Sequence, residues 1–340
     1  VKKKILLGLG LAAIMALSAC GGSAQDVSGD KSQTEKHYPL TIQNYTKAEG
    51  GTTWDKKDQK FDKAPERIMA NTRPAAELLL NLGLGDKIVG VGASFGAPDK
   101  TVEEEYAKLN ILSDSYVGKE VTLGTDPDLV FGRGELFDNA DWGVGTVDSL
   151  NEMGINTYVL ESSVTGATYD SIYKDIENIG NVFNVEDKAE SFIKKLKDQE
   201  EKITSNLSSI SENKTFAYLH TTDPKELMVY AAHDETFFND VFHMIKLDNV
   251  FKDESAEISI EMLIDADPDV LIIPMWIDKD PANAEKVKEG LYSNPKLSSM
   301  KAIKNKQIYA VDYNYMFGYG YNSIDGMELL AKEMYPDLFK

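Results

Sequence analysis

Short apolar runs recur along this chain, separated by stretches that repeat apolar side chains every three or four residues. Arg67-Ile68-Met69-Ala70, Lys87-Ile88-Val89-Gly90-Val91, Asp128-Leu129-Val130-Phe131 and Asn156-Thr157-Tyr158-Val159-Leu160 read as short strands. Between the first two, Asn71-Thr72-Arg73 reads as a loop, and Pro74 opens a helix that Gly83 closes. A second series holds strands at Thr215-Phe216-Ala217-Tyr218-Leu219, Val270-Leu271-Ile272-Ile273 and Gln307-Ile308-Tyr309-Ala310-Val311. Such alternation predicts an α/β protein with mostly parallel sheets. Residues 187–209 separate the two series. There Ala189, Phe192, Ile193, Leu196, Ile203 and Leu207 keep helical spacing, with no Gly or Pro. One helix of about 22 residues, roughly 33 Å long, is expected to join two lobes.

The N-terminal segment follows a different pattern. Lys2, Lys3 and Lys4 precede an apolar run from Ile5 to Leu17, which reads as an export signal over residues 1–19. The run then closes on Leu17-Ser18-Ala19-Cys20-Gly21-Gly22, which resembles a bacterial lipoprotein lipobox. The resemblance implies cleavage before Cys20 and its lipidation, with palmitate-type acyl chains anchoring the protein to the cell membrane on its extracytoplasmic face. Residues 20–50 are expected to be a lipidated flexible tether, and its Gly21–Lys36 part is almost free of apolar side chains. His37 is expected to be solvated at its edge. The expected body is then an N-terminal lobe over 51–183, the interlobe helix over 184–211 and a C-terminal lobe over 212–340.

Composition narrows the function classes. A chain of 340 residues suits two domains. Cys20 is the single cysteine, so an intrachain disulfide and a cysteine-based metal site are both excluded. Lys plus Arg number 36 against 56 Asp plus Glu, a net charge of −20, which argues against a nucleic-acid partner. Gly90-Val91-Gly92-Ala93-Ser94-Phe95-Gly96 imitates a dinucleotide fingerprint, but its last spacing is one residue too long and Pro98 blocks the helix that should follow. No phosphate-binding P-loop, nucleophile elbow or His-rich run is present.

Each half repeats one phrase. Glu120 is followed seven residues later by Pro127-Asp128 and an aliphatic strand, and Glu261 by Pro268-Asp269 and another. A Glu in a first helical turn is stabilised by the helix dipole alone, so a structural reading is open. Its recurrence in both halves favours a matched functional pair. With this echo, Ala76-Glu77-Leu78-Leu79-Leu80-Asn81-Leu82-Gly83-Leu84-Gly85-Asp86-Lys87-Ile88-Val89-Gly90-Val91 and the tail pieces Asn294-Pro295-Lys296-Leu297, Ile308-Tyr309-Ala310-Val311-Asp312 and Leu330-Ala331-Lys332-Glu333-Met334-Tyr335-Pro336, the chain resembles bacterial ABC-transporter substrate-binding lipoproteins of the siderophore, haem and cobalamin type. The resemblance implies two Rossmann-like lobes on a helical backbone, the helical-backbone periplasmic-binding-protein fold. It also implies a monomeric, non-enzymatic receptor with no intrinsic cofactor, and a permease partner whose arginines meet Glu120 and Glu261.

Ligands of open α/β sheets bind beyond the carboxyl ends of strands, which directs attention to strand exits. Only three arginines occur, and Arg73 and Arg133 both follow strands. A guanidinium fork suits the oxygens of a ferric chelate. Trp276 follows another strand, Trp142 lies beyond Arg133, and Tyr313, Tyr315 and Phe317 crowd what Gly318 and Gly320 mark as a loop. Ser94 and Phe95 are weaker candidates, as are His220, Tyr230 and His233; His243 reads as packing. The expected ligand is a ferric siderophore, with hydroxamate favoured. The alternatives are haem or cobalamin, or a two-lobed α/β enzyme.

Overall fold

The computed structural model describes residues 37–277 and 279–340. The expected signal, Cys20 and the tether up to Lys36 lie outside the described residues. Strand β1 (Leu40–Thr46) pairs antiparallel with β2 (Asp55–Phe61), so the tether expected up to residue 50 gives way to a hairpin. Its sequence hid it, because β2 reads Asp-Lys-Lys-Asp-Gln-Lys-Phe and buries only Phe61. Side chains hold it in place. Asn44 clasps the backbone of Val159, donating to its carbonyl at 2.9 Å and accepting from its N–H at 2.8 Å.

The first sheet contains β3 (Ile68–Ala70), β4 (Ile88–Val91), β5 (Leu129–Gly132) and β6 (Asn156–Val159), all parallel, in the order β4-β3-β5-β6. The second contains β7 (Lys214–Leu219), β8 (Val229–Tyr230), β9 (Leu247–Asn249), β10 (Val270–Met275) and β11 (Ile308–Asp312). Here β11-β10-β7 run parallel, β9 continues them beside one end of β7, and β8 pairs antiparallel with its other end. The parallel strands are mostly buried, and β5, β7 and β10 carry the apolar runs that such burial needs.

Helix Glu186–Asn206 joins the two sheets. It packs against helices Asp170–Phe183 and Ser323–Met334. Ala189, Phe192, Ile193, Leu196 and Ile203 are its buried residues, all read from the periodicity. They belong to one continuous apolar cluster that runs from Ile68 and Leu79 in the first half to Phe216 and Ile272 in the second. The lobes therefore share a core along this helix. The first helix starts one residue earlier than expected, at Arg73, and one expected loop proves helical. Thr72 caps the helix Arg73–Asn81, accepting from the Ala75 N–H at 3.4 Å. Asp312 caps Tyr313–Phe317 through the Asn314 N–H at 3.0 Å, so the aromatic segment before Gly318 is a turn and a half of helix. No helix among the described residues is long and apolar enough to cross a membrane.

Candidate ligand-binding site

Arg133 sits just past β5, where the chain turns sharply. Gly132 has φ +141°, and a Cβ there would fall 1.9 Å from the Asn71 side-chain oxygen. That space is used: Asn71 accepts from the Arg133 N–H at 2.9 Å and donates to its carbonyl at 3.0 Å. The backbone of Arg133 is thus held from both sides. Its guanidinium is buried, donates to the Tyr116 hydroxyl at 3.2 Å and to Glu135, and lies 5.0 Å from the centre of the Tyr319 ring. Burial pushes its pKa down, but Tyr319, Tyr116 and Glu135 more than offset this. Its Nε has no hydrogen-bond partner among the described residues.

Aromatic rings from both lobes meet beside it. Trp276 stacks on Tyr313 with ring centres 5.6 Å apart, and Phe95 reaches Tyr313 at 6.4 Å and Tyr116 at 5.8 Å. Lys279 lies 5.1 Å from the Phe95 ring and donates to the Asp114 carbonyl across the cleft at 3.2 Å. His220, at the β7 exit, is 6.2 Å from Tyr313, and its Nδ1 lies 2.9 Å from the Tyr218 hydroxyl. Burial lowers its pKa, so the imidazole is neutral at pH 7.

Arg73 occupies the β3 exit as expected. Its guanidinium lies 4.5 Å from the Tyr106 ring centre, 3.4 Å from the Ser94 hydroxyl and 3.7 Å from the Glu77 carboxylate. Glu77 is fully buried, and that burial pushes its pKa up to about 8, against the Asp99 N–H at 3.1 Å and the charge of Arg73. Mostly protonated at pH 7, Glu77 leaves the Arg73 charge largely uncancelled. Asp99 continues the network into the other half, accepting from Tyr321 at 2.5 Å and from Asn81 at 3.0 Å.

The remaining candidates divide. Phe317 is buried beneath Tyr313, stacked on Phe238 at 4.9 Å, and serves as its floor. Tyr230 closes on Phe317 at 6.0 Å and donates to Glu235 at 3.1 Å. Tyr315 leaves on the opposite face of its short helix and packs over Gly326, away from the rings. Trp142 is 42% exposed and joins no ring contact among the described residues. His233 faces the Lys252 carbonyl at 3.0 Å and Asp234 at 3.6 Å instead of the cleft. Sequence position gave Tyr116, Glu135, Glu235 and Lys279 no signal beyond, for Glu135, its place two residues after Arg133. Among the described residues no group of three or more His, Cys, Asp or Glu is arranged to hold a metal ion. His37, expected to be solvated, instead sets its Nε2 2.6 Å from the Asn181 carbonyl.

A family model described as periplasmic binding protein matches residues 68–315, which covers both sheets, the helix between them and the strand exits. The chain belongs to the periplasmic binding protein family. This binding protein is the solute-binding component of an ABC transport system and not an enzyme. It is 27% identical over 335 residues to YvrC of Bacillus subtilis, named an uncharacterized ABC transporter substrate-binding lipoprotein, covering 97% of this chain and 96% of that one. The petrobactin-binding protein YclQ of the same organism is 23% identical over the full length of both chains. A periplasmic binding protein from Veillonella parvula shares the fold with a TM-score of 0.76, at 22% identity over 87% of this chain and 99% of that one.

The echoed phrase of this binding protein adopts the same geometry twice. Glu120 lies in the first turn of helix Lys119–Leu123 and Glu261 in the first turn of Ile260–Ala266. Six residues on, Asp126 and Asp267 turn the chain with φ 50° and 44°. Asp128 then accepts from the N–H groups of Glu66 and Arg67 just before β3, and Asp269 from the N–H of Thr215 at the start of β7. The repeated Asp therefore has a structural task, tying one strand's entry to its neighbour. The repeated Glu has only the helix-dipole role of a first-turn carboxylate. Both side chains are exposed, and neither forms an ion pair or hydrogen bond among the described residues.

Proposed function

We propose that the protein captures a ferric siderophore between its lobes, ferric hydroxamates first, and delivers it to an ABC permease that docks on Glu120 and Glu261. It would work as a monomer from a lipid anchor at Cys20, on the extracytoplasmic face of the cell membrane. Iron is cargo here, and the chelator supplies its ligands. The observation that carries this reading is the buried Arg133 guanidinium, its Nε without a partner among the described residues, set among Tyr116, Tyr313 and Trp276 drawn from both lobes. A fixed cation beside flat apolar surfaces matches the anionic oxygens and organic shell of a chelate. Arg73 and Lys279 add positive charge on the same side. The petrobactin-binding relative is consistent with a siderophore ligand.

A haem reading has one observation in its favour: His220 is neutral, oriented by Tyr218 and next to Tyr313, as an iron ligand would be. Titrating the purified protein with ferric siderophores, haem and cobalamin separates the readings. Quenching of Trp276 fluorescence by a ferric hydroxamate at micromolar concentration supports the first. A Soret band that shifts on mixing with haem, and is lost in His220→Ala, supports the second. No response to any compound overturns both.

A further inference from the structure

Beyond the Arg133 turn lies a cavity of about 780 Å³. Its walls come from three parts of the chain: Trp54 from the β1–β2 hairpin, Glu135 and Glu161 from the first lobe, and Asp234, Glu235 and Tyr319 from the second. It adjoins the Arg133 cluster, because Glu135 and Tyr319 belong to both. The hairpin wall is firmly seated. Beside the Asn44 clasp, Asp138 accepts from the Lys47 ammonium at 3.4 Å and from the Gly50 N–H at 3.0 Å. The Trp54 ring rests on Gly134, where a Cβ would lie 2.8 Å from it.

The charges lining the cavity are unevenly compensated. Lys47 is taken by Asp138, Glu135 by Arg133, and Glu161 by Lys174 at 3.2 Å; Asp234 faces His233 at 3.6 Å, and Lys56 lines the hairpin side as an exposed cation. Glu235 differs. It accepts from two neutral hydroxyls, those of Tyr230 and Tyr319, and meets no cation among the described residues. A half-buried carboxylate held by neutral donors at the rim of a roomy cavity lacks a counter-ion. Trp54 offers an aromatic surface in the same space; the Lys47 ammonium lies 5.8 Å from its ring centre, so the ring already has one cation beside it.

We propose that this cavity receives a protonated amine on an arm of the bound chelate, with Glu235 as its counter-ion and Trp54 as the surface beside it. The proposal rests on the interlobe cleft being the chelate site. Ferrioxamine B, a ferric trihydroxamate with one ammonium arm, and its N-acetylated form share the same iron centre and differ in that charge and one acetyl group. Calorimetric titration of the full chain should give about tenfold tighter binding for the ammonium form, the size of one charge-assisted contact. Glu235→Gln, whose oxygen can accept from one tyrosine while its amide donates to the hydroxyl oxygen of the other, should remove that preference while keeping affinity for the acetylated form. Trp54→Leu should reduce it. Equal affinities of the wild-type protein for the two forms would overturn the amine pocket and leave the receptor reading intact. Equal loss of both forms in Glu235→Gln would also overturn it, assigning Glu235 to structure. Binding of neither form by the wild-type protein would overturn the pocket together with the hydroxamate reading.

Discussion

Glu77 gives the sharpest test of the electrostatics on the cleft floor. Its carboxyl is fully buried, with Arg73 3.7 Å away and one oxygen without a hydrogen-bond partner among the described residues. Burial raises its pKa from 4.5 to about 8. The folded state therefore holds a proton that the unfolded state releases between these values, and stability must fall as pH rises through that window. At about 1.36 kcal/mol per pH unit, the contribution of this group falls by about 2.5 kcal/mol from pH 5 to pH 7, and falls further until pH passes about 8. Asp175, raised to about 7 by burial, acts in the same direction, so the whole-protein profile mixes the two. The difference between wild type and Glu77→Gln isolates one. Gln keeps an acceptor for the Asp99 N–H and has no charge to desolvate. Urea unfolding followed by tryptophan fluorescence from pH 5 to pH 8 should show the variant gaining on wild type by about 2.5 kcal/mol between pH 5 and 7. A gap that stays constant across that range would mean Glu77 is ionised in the folded protein, with Arg73 neutralised beside it.

Replacing Glu120 and Glu261 together by Ala should leave ligand affinity within twofold and abolish ligand-stimulated ATP hydrolysis by the reconstituted transporter; loss of ligand binding would show the pair to be structural. Gly134→Ala should push Trp54 off its seat and cost about 1–3 kcal/mol, read as a lower unfolding midpoint with altered Trp emission. X-ray scattering with and without ligand should give nearly superimposable profiles, because the lobes share a core along Glu186–Asn206; a swing of tens of degrees would contradict this.

The parallel strands and the interlobe helix were legible because burial on both faces, or along one stripe, leaves a mark in the order of apolar residues. The β1–β2 hairpin left none. It is fixed by Asn44, Gln59 and Asp138, polar side chains whose partners lie about 90 or more residues away. Arg73, Arg133, Trp276 and Tyr313 were found because strand exits are a topological fact. Direction is another matter. Tyr313 and Tyr315 both follow β11, but a helix starting at Tyr313 turns the second away from the first. Trp142 and His233 show that nearness in sequence to a strand exit does not bring a side chain into the cleft. Glu235 is drawn to the site by Tyr319, 84 residues distant, a pairing no local pattern encodes.

The described chain begins at a mechanically quiet point. His37 and Tyr38 bind the carbonyls of Asn181 and Val182, at the end of Asp170–Phe183 and just ahead of the interlobe helix. A pull on the N-terminus would load the pivot and not the tip of either lobe, so it would exert little torque on the cleft. Opening and closing, and the grip on a ligand, would then be insensitive to how the chain is held.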